Sequence, residues 1–534
     1  MIAGGGLVGL STAMFLAHHG VAALVVEPLR GGSPVPRAAH FHVRTLELFR
    51  AAGIHAEVVE QSEREFLPEG AIISMDSLAG RKLADIIPSL NEGVDDTLSP
   101  CRRLFVTQPG LEPILRRRAQ QSGAQVLEGY EVVDVTTDGD GVTVVVRDVD
   151  RDTTQLHHAR WLVGADGAHS TVRDRLGIPV DGRGIFSNSI TIYFTADLWA
   201  QMGDKPLSVV YINNPVFGGF FRLAKDCQSG FLAVNTVGDP DSDPDVANAA
   251  RDTSEARLVE LVRVGAGVPD LAVRIDGVAR WRATSDVVRR YDDGRVFLAG
   301  DAAHLMPPNG GFGGNTGIAD AYDIAWKLAL VIKGVAGEDL LATYDTERRP
   351  VGTLTVEQAY SRYVTRTATY LGATDYQPIV PDLEIELGYI YRSASIVADD
   401  SDEDGRDHDD PRSTHGRPGS RAPHLWVELD GRRLSTLDLF GRCFVVLAAP
   451  NGSEWCDAAR KAAAQHDGLE LEAYCVGGPE LRLLSASFTD AYGVSDSGAV
   501  LVRPDGFVTW RAPSMSSDPS SAVAAALRVA LART

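Results

Sequence analysis

The chain has 534 residues, of which 44% are hydrophobic and 23% charged, and this size and composition are typical of a globular protein of about three domains. A net charge of -21 argues against a nucleic-acid partner, because phosphates would repel the protein. No apolar run in the sequence approaches the roughly 20 residues that a membrane-spanning helix needs.

The first motif is a glycine-rich loop that follows a very short apolar segment. A helical pattern begins at about Leu7, immediately after the first glycines. This arrangement favours a pyrophosphate, since glycine amides approach it closely and a helix start carries partial positive charge. We therefore expect dinucleotide contacts at Gly4, Gly6, Leu7, Val8 and Gly9.

Glu27 ends a buried-type strand over residues 22–27, which completes a β-α-β unit. An acid at this place can accept hydrogen bonds from ribose hydroxyls. Taken alone, the motif leaves three alternatives open. The loop could bind FAD, bind NAD, or be a tight strand-to-helix turn that binds nothing.

The segment before the glycines consists of Met1, Ile2 and Ala3 only. We expect so short a strand to pair poorly and to fray, and our hypothesis is that the natural start lies upstream of Met1. The intact mass of the protein from its native source tests this. Because the loop lies so near Met1, we expect no signal peptide. The five cysteines show neither CxxC nor zinc spacing, so we expect a cytoplasmic protein with reduced cysteines and no metal.

Two later motifs indicate which dinucleotide is bound. Asp166 follows a buried-type strand over 161–165, within LVGADGAHSTVR. Asp301 ends a second such strand, at the carboxyl end where ligands of α/β sheets bind. A glycine-rich run over 310–317 then leads into a helix, so its amides can stabilise negative charge on a reduced flavin. The contacts expected from this third motif are Gly300, Asp301, Pro308, Gly311, Gly314 and Asn315.

In order and spacing, the three motifs resemble those of class A FAD-dependent aromatic hydroxylases, and the similarity covers most of residues 1–395. The segment PRAAHFHVRTLELFR also resembles that family, which implies flavin contacts by Arg37 and Arg44. Ordinary surface ion pairs are the alternative for these two arginines. The resemblance likewise implies that Gln108 contacts the cofactor and that Asp166 serves both FAD and the nicotinamide donor.

Four further segments narrow the resemblance to hydroxylases that tailor bacterial aromatic polyketides, the group of the tetracenomycin ring oxygenases and aklavinone hydroxylase. These segments are YRSASIV, GRPGSRAPHLWV, STLDLFGR and LVRPDGFVTWR. The resemblance implies a thioredoxin-like C-terminal domain without redox cysteines and with a packing or association role. The lack of CxxC over residues 422–534 agrees with it.

The expected fold is α/β, with a Rossmann-like FAD-binding domain of the para-hydroxybenzoate hydroxylase type, a β-rich substrate domain and the thioredoxin-like domain. Residues 398–411 are strongly acidic and mimic the start of an EF-hand loop. The twelfth position of that loop is Pro411 instead of a glutamate, so we expect a mobile, solvated linker and no calcium site. The expected boundaries are 1–75, 101–177 and 282–395 for the FAD domain with its helical extension, 76–100 and 178–281 for the substrate domain, 396–421 for the linker and 422–534 for the C-terminal domain.

The function implied by the resemblance is FAD- and NAD(P)H-dependent hydroxylation of a polycyclic aromatic polyketide in antibiotic biosynthesis, with O2 as co-substrate and a flavin C4a-hydroperoxide as the oxidant. NADH and NADPH stay open as donors, as do a monomer and a homo-oligomer. One Rossmann glycine loop is evident, so we expect the donor to bind transiently. The alternatives are a Baeyer–Villiger or decarboxylating oxygenase acting on a similar polyketide, and a non-catalytic FAD-fold partner in a biosynthetic complex.

Substrate contacts are expected on the sheet of the second domain, at Tyr211, Phe220 and Arg222, and, by a loose resemblance, at Arg366. Core packing is the alternative for Tyr211, and a structural role is the alternative for Arg366. His304 follows the GDAA segment and could act as a base, but a packed, hydrogen-bonded histidine is the favoured interpretation. No catalytic triad or carboxylate pair stands out, which suits a reaction whose chemistry a cofactor carries.

Overall fold

The computed structural model describes residues 1–32, 40–203, 205, 207–237, 251–368, 371–399, 405–485 and 487–533. A parallel sheet forms the centre of the first domain, as the β-α-β pattern predicts. Its strands, in spatial order, are β17 (Val296–Leu298), β11 (Leu162–Gly164), β1 (Ile2–Ala3), β2 (Leu24–Glu27) and β7 (Gln125–Glu128). A smaller antiparallel sheet of β10 (Thr153–Ala159), β9 (Val142–Asp148) and β8 (Tyr130–Thr137) adjoins it.

Helix α1, which follows the glycine loop, contacts β1 and β2 of the parallel sheet and packs against α4 and α8. The helices of this domain are α1 (Leu7–His18), α2 (Val43–Ala51), α3 (His55–Glu65), α4 (Gln108–Gln121), α5 (Thr171–Arg175), α8 (Phe312–Ile332), α9 (Asp339–Arg362) and α10 (Asp382–Leu387). A π-helical turn, Tyr363–Thr367, extends α9.

The short first strand does not fray. Ile2 pairs with Val163 on one side and with Val25 on the other, and its side chain is fully buried. The strand is central in the sheet, so neighbours on both sides satisfy its backbone groups despite its length. Residues 125–128 pair in parallel with Leu24–Glu27.

The second domain is built on a large, mainly antiparallel sheet, as expected from the β-rich pattern. Its strands, in spatial order, are β18 (His304–Leu305), β16 (Arg274–Val288), β12 (Val180–Thr195), β15 (Ser229–Val237), β14 (Phe217–Leu223), β13 (Leu207–Asn213), β4 (Ala71–Met75) and β5 (Lys82–Ile87). Helices α6 (Trp199–Met202) and α7 (Glu255–Ala266) complete the domain. Ala71–Met75 belongs to this sheet, although the sequence pattern placed it in the first domain. A separate two-stranded ribbon is formed by β3 (His40–Phe41) and β6 (Leu104–Phe105). It carries residues of the cavity described below.

The C-terminal domain has the thioredoxin-like arrangement of a β-α-β unit followed by a β-hairpin and a helix. Its sheet has the spatial order β22 (Leu471–Cys475), β21 (Phe444–Ala448), β24 (Ala499–Val502) and β25 (Val508–Ala512). Its helices are α11 (Ser453–Gln465), α12 (Phe488–Tyr492) and α13 (Pro519–Ala530). A small sheet of β20 (Arg432–Ser435), β19 (Trp426–Leu429) and β23 (Leu481–Leu483) flanks this core.

Buried ion pairs connect the C-terminal domain to the first domain. Arg503 donates from Nη1 to Oε1 of Glu347 on α9 at 2.6 Å and from Nε to Asp505 at 3.1 Å. Lys327 on α8 donates to the other oxygen of Glu347 at 2.7 Å. Arg421 donates to Glu47 on α2 at 2.9 Å. We call these residues (Lys327, Glu347, Arg421, Arg503, Asp505 and Glu47) the domain junction.

The linker is only partly as expected. Residues 400–404, the most acidic part, lie outside the described residues. Arg421, expected in a solvated linker, is instead buried at the junction. The Glu47 carboxylate pairs with its guanidinium in place of water. Among the helices that the structure describes, none is long and apolar enough to cross a bilayer.

Candidate active site

The three sequence motifs meet at the start of α1. Gly4 has φ 93°, and a Cβ there would lie 2.3 Å from the carbonyl oxygen of Ala165, beside the second motif. Gly300, with φ 61°, touches the loop from the other side, since its Cβ would lie 2.7 Å from Val8 Cγ2. Both positions therefore require glycine, and backbone from three distant segments converges at one helix start. This is the convergence that the dinucleotide hypothesis predicts.

Two carboxylates flank the loop, and both are held in place. Glu27 accepts hydrogen bonds from the backbone N–H of Gly5 at 2.6 Å and of Leu29 at 2.8 Å. Asp166 accepts from Ser170 Oγ at 2.5 Å and from the backbone N–H of Val172 at 3.0 Å, which caps α5. Burial raises the pKa of Asp166. Their contacts with ribose and with the nicotinamide donor stay predictions.

The third motif forms one wall of a cavity of about 320 Å³, which we call the inner cavity. The motif residues in this wall are Asp301, Pro308, Gly311 and Gly314. Helix α8 begins at Phe312, directly after Gly311 with φ 72°. A planar ring can therefore approach exposed backbone and the positive end of a helix here, and this is the environment that a reduced flavin requires. The residues fit a flavin.

The opposite wall belongs to the second domain, and it contains the expected substrate residues. Tyr211 and Phe220 lie on adjacent strands with ring centroids 5.6 Å apart, and both line the inner cavity. Arg366 reaches it from the π-helical turn after α9. Burial raises the pKa of Tyr211, while the positive charge of Arg366 opposes that shift.

Arg222 is the fourth expected substrate residue, and its environment is unusual for a buried cation. It is 7% exposed, and within the described part of the chain its Nε and Nη2 have no hydrogen-bond partner. Its guanidinium lies 4.2 Å from the ring centroid of Phe66 and 4.7 Å from that of Phe105. Burial lowers the pKa of Arg222 to about 9, and the Glu65 carboxylate opposes the shift. The group thus keeps donors available for an anion.

A second cavity of about 570 Å³ adjoins the first, and we call it the outer cavity. Arg222 and Phe231 line both cavities. The aromatic residues Phe66, Tyr193 and Phe194 contribute to the outer cavity. The two cavities meet at Arg222 and Phe231, so together they provide more space for a ligand than the inner cavity alone.

Three expected cofactor residues have other roles or positions. Arg37 lies outside the described residues. Arg44 contacts the C-terminal domain, where it donates to the carbonyl of Asp505 and lies 5.3 Å from the Phe507 centroid, and it pairs with Glu47 at 3.2 Å. Its flavin contact stays a prediction.

The side chain of Asn315 holds protein backbone in place, and its cofactor contact stays a prediction. Its Oδ1 accepts from the backbone N–H of His42 at 2.9 Å, and its Nδ2 donates to the carbonyl oxygens of His40 at 2.9 Å and Gly311 at 2.7 Å. Gln108 donates to Glu112 at 2.6 Å. Its cofactor contact stays a prediction.

His304 is packed and hydrogen-bonded, as favoured from the sequence. Its Nε2 lies 2.8 Å from Asp320, whose other oxygen accepts from Arg348 Nε at 2.8 Å. His40, which was not predicted from the sequence, also lines the inner cavity. The signal was present in the HFH segment, but no spacing rule connects that histidine to residues more than 260 positions away.

Comparison with known families decides the identity. A family model described as FAD binding domain matches residues 1–359, and one described as aromatic-ring hydroxylase, C-terminal, matches residues 415–534. The chain belongs to the FAD-dependent aromatic-ring hydroxylases. The hydroxylase is therefore a flavoprotein monooxygenase, and FAD is its cofactor.

Relatives that match over nearly their whole length show which members of the family the hydroxylase is similar to. It is 48% identical to 4-methyl-5-nitrocatechol 5-monooxygenase of a Burkholderia species, over 100% of this chain and 97% of the relative. It is 36% identical to tetracenomycin A2 monooxygenase-dioxygenase of Streptomyces glaucescens, over 100% and 97%. The crystal structure of aklavinone-11 hydroxylase with FAD and aklavinone superimposes with a TM-score of 0.93 at 36% identity, covering 100% of this chain and 98% of that one.

Proposed function

We propose that the hydroxylase inserts oxygen into a phenolic ring of a polycyclic aromatic polyketide of the tetracenomycin or anthracyclinone type. The observation that carries this proposal is the inner cavity, which joins a flavin-type glycine loop to an apolar sheet with Arg222, whose Nε and Nη2 have no partner among the described residues. The relatives named for tetracenomycin and aklavinone support it. When bound, FAD supplies the activation of O2, with electrons from NADH or NADPH.

The residues of the second domain position the ring. Tyr211 and Phe220 offer apolar faces against which an aromatic ring can pack. Arg222 donates to a phenolate or carbonyl oxygen, since its Nε and Nη2 are buried and lack partners among the described residues. Arg366 adds positive charge from the helical side of the same cavity.

The apolar lining excludes water. Ile72, Val209 and Phe231 contribute to it together with Met306. Exclusion of water protects the reactive oxidant from hydrolysis and strengthens the interaction of Arg222 with an anion. A polycyclic substrate is longer than one ring, so we propose that it extends past Arg222 toward the outer cavity.

A substituted catechol is the second candidate substrate. The relative named 4-methyl-5-nitrocatechol 5-monooxygenase is 48% identical, against 36% for the relatives named for polyketides. A nitro group or catecholate would offer Arg222 the same anionic oxygen. The two candidates differ in whether the substrate needs the outer cavity.

The test is a substrate panel containing tetracyclic and anthraquinone-type phenols beside 4-nitrocatechol. We expect a yellow, FAD-containing protein whose oxidation of NADPH or NADH accelerates with the correct substrate. Product mass with 18O2 counts the inserted atoms, and opening of a lactone in base identifies a Baeyer–Villiger product. Loss of CO2 would identify a decarboxylating reaction. If every panel member fails to stimulate NAD(P)H oxidation, the proposal is wrong and a non-catalytic partner role gains support.

Cellular placement and assembly complete the proposal. Since NAD(P)H is cytoplasmic and no described helix could span a bilayer, we place the hydroxylase in the cytoplasm. Light scattering on the holoenzyme distinguishes a monomer from a homo-oligomer.

A further inference from the structure

His40 is fixed at the edge of the inner cavity from three sides. Its strand, His40–Phe41, pairs with Leu104–Phe105, and its carbonyl accepts from Asn315 at 2.9 Å. Its ring stacks on Phe105 with centroids 5.0 Å apart and planes 21° apart. A Cβ on Gly311 would lie 3.2 Å from Nδ1, so the flavin-type loop passes directly beside the imidazole. The ring is therefore held in one orientation.

The hydrogen-bonding capacity of His40 is unused at one nitrogen. Its Nε2 is buried and, among the residues that the structure describes, has no hydrogen-bond partner. Neighbouring His42 differs, because its Nε2 lies 2.9 Å from the carbonyl oxygen of Gly310. A buried ring nitrogen without a partner is costly, so a ligand that supplies one gains a hydrogen bond that water cannot compete for.

The electrostatic surroundings keep His40 neutral until a counter-charge arrives. Burial lowers the pKa of His40 well below its usual value, and the positive charges of His42, Arg103 and Arg222 add to that shift. A neutral imidazole with its proton on Nδ1 presents a lone pair at Nε2. The other charged groups around the same cavity are Asp301, Arg362, Arg366 and Asp382.

Arg222 and His40 share one aromatic support. The guanidinium lies 4.7 Å from the centroid of Phe105, the ring on which His40 stacks. Both side chains line the inner cavity. The imidazole and a guanidinium whose Nε and Nη2 have no partner among the described residues therefore line the same small space.

We propose that Nε2 of His40 accepts the proton of the substrate's phenolic hydroxyl and leaves the phenolate beside Arg222. The O–H bond breaks, its electron pair stays on oxygen, and an N–H bond forms on the imidazole. The resulting imidazolium is stabilised by the adjacent phenolate. The phenolate raises electron density at the ring carbons ortho and para to oxygen, where hydroxylation takes place. This inference rests on the proposed function, since it requires a phenolic substrate.

The experiment uses the oxidised, FAD-loaded full-length enzyme without NAD(P)H, so that no turnover takes place. The probes are 4-nitrocatechol and alizarin, which represent the two substrate classes and change colour on ionisation. Difference absorption spectra at a series of pH values give the apparent pKa of the bound phenol. For the wild type we expect a pKa at least one unit below that of the free probe.

Two variants distinguish the effect of the imidazole from the effects of polarity and ring stacking at position 40. His40→Gln keeps a polar side chain but cannot hold the proton, and His40→Phe keeps the stacking on Phe105. In both we expect the bound phenol to titrate about one unit higher. In a separate turnover assay with NAD(P)H and O2, kcat at neutral pH should fall at least tenfold and recover at alkaline pH, where the probe ionises without help. His158→Gln, an exposed histidine on Thr153–Ala159, is the matched control and should match the wild type.

The outcomes distinguish the inference from the proposed function. If a probe binds as the phenolate in both His40 variants as in the wild type, or binds protonated to the wild type at neutral pH, the inference is wrong while the proposed function stands. If neither probe binds or stimulates NAD(P)H oxidation, both fail. Should one variant lose FAD, the other variant and the wild-type titration still decide.

Discussion

The inner cavity and the domain junction both contain a buried arginine, but the two arginines are in opposite situations. Arg503 at the junction donates from each of its three nitrogens, to Glu347 and Asp505, and these carboxylates raise its pKa. Arg222 at the cavity has no described partner on two of its nitrogens, and burial lowers its pKa. The same residue type therefore serves as a structural tie in one place and as an available donor in the other.

The difference indicates that the junction contributes to stability and that the inner cavity is suited to ligand binding. A buried charge costs desolvation energy, which paired carboxylates offset at the junction. In the cavity the charge lies against the faces of Phe66 and Phe105, and the Glu65 carboxylate also favours it. An anionic oxygen of a bound ligand would pair with Arg222. Mutation should therefore reduce stability at the junction and ligand affinity at the cavity.

The largest effect is expected at the junction. Arg503→Gln leaves Glu347 and Asp505 buried without their main partner, so we expect a loss of about 3–5 kcal/mol in the free energy of unfolding. Urea unfolding measures it. The control, Arg482→Gln, removes a surface pair with Glu428 and should cost less than about 1 kcal/mol. Equal losses in the two variants would remove the distinction between junction and surface.

Arg44 tests whether the junction or the cofactor uses this side chain. Arg44→Gln should cost about 1.5–3 kcal/mol of stability, because its hydrogen bond to the Asp505 carbonyl and its pair with Glu47 are lost. The FAD content, read from the absorbance ratio of flavin to protein, should stay at the wild-type level. Release of FAD from a variant that is still folded would return Arg44 to the flavin site.

Arg222→Gln should act on binding and leave stability almost unchanged. Loss of a charge-assisted hydrogen bond of about 1.5–3 kcal/mol predicts a roughly 10- to 150-fold weaker affinity for a phenolate probe. The free energy of unfolding should stay within about 1 kcal/mol, since the lost cation–π contacts are offset by relief from burying an unpaired charge. A large stability loss with unchanged affinity would reverse the comparison.

Counted for each group and each pH unit, the smallest effect is that of pH. Burial lowers the pKa of His18 and of His424 to about 4, and both contact the opposite domain, at the carbonyls of Gly441 and Asp96. Each histidine takes up a proton near pH 6.5 when unfolded but only near pH 4 when folded, so stability is full above pH 6.5 and is lost as pH falls toward 4. The loss is up to about 1.4 kcal/mol per pH unit for each group.

Urea midpoints at pH 7.5, 6.0 and 5.0 measure this decline. The double variant carrying His18→Gln and His424→Gln should show a shallower slope between pH 6.5 and 4 than the wild type. An unchanged slope would assign the acid sensitivity to other groups, among them His19, whose pKa burial lowers to about 3.

Much of the cofactor side followed from local pattern. Glycine is required at positions 4 and 300 by the positive φ and by the close approach of Ala165 backbone and of the Val8 side chain, and such a requirement is visible in a sequence. Tyr211 and Phe220 were expected on the sheet of the second domain, and the structure places both at the inner cavity. The protein contacts of Arg44 and Asn315 could not be predicted, because their partners come from segments far away in the chain, Asp505 and His40.

The amino-acid sequence by itself thus determined the α/β class, the flavin-binding motifs and their order, because these depend on short-range spacing and backbone freedom. The tertiary structure decided which buried charges have partners. Arg503 and Arg222 are alike in the sequence, and only the packing of distant strands and helices supplies carboxylates to one and an open cavity to the other. Burial and pairing are properties of the folded arrangement, and for that reason the function of His40 could be inferred only after folding brought it beside Phe105 and Gly311.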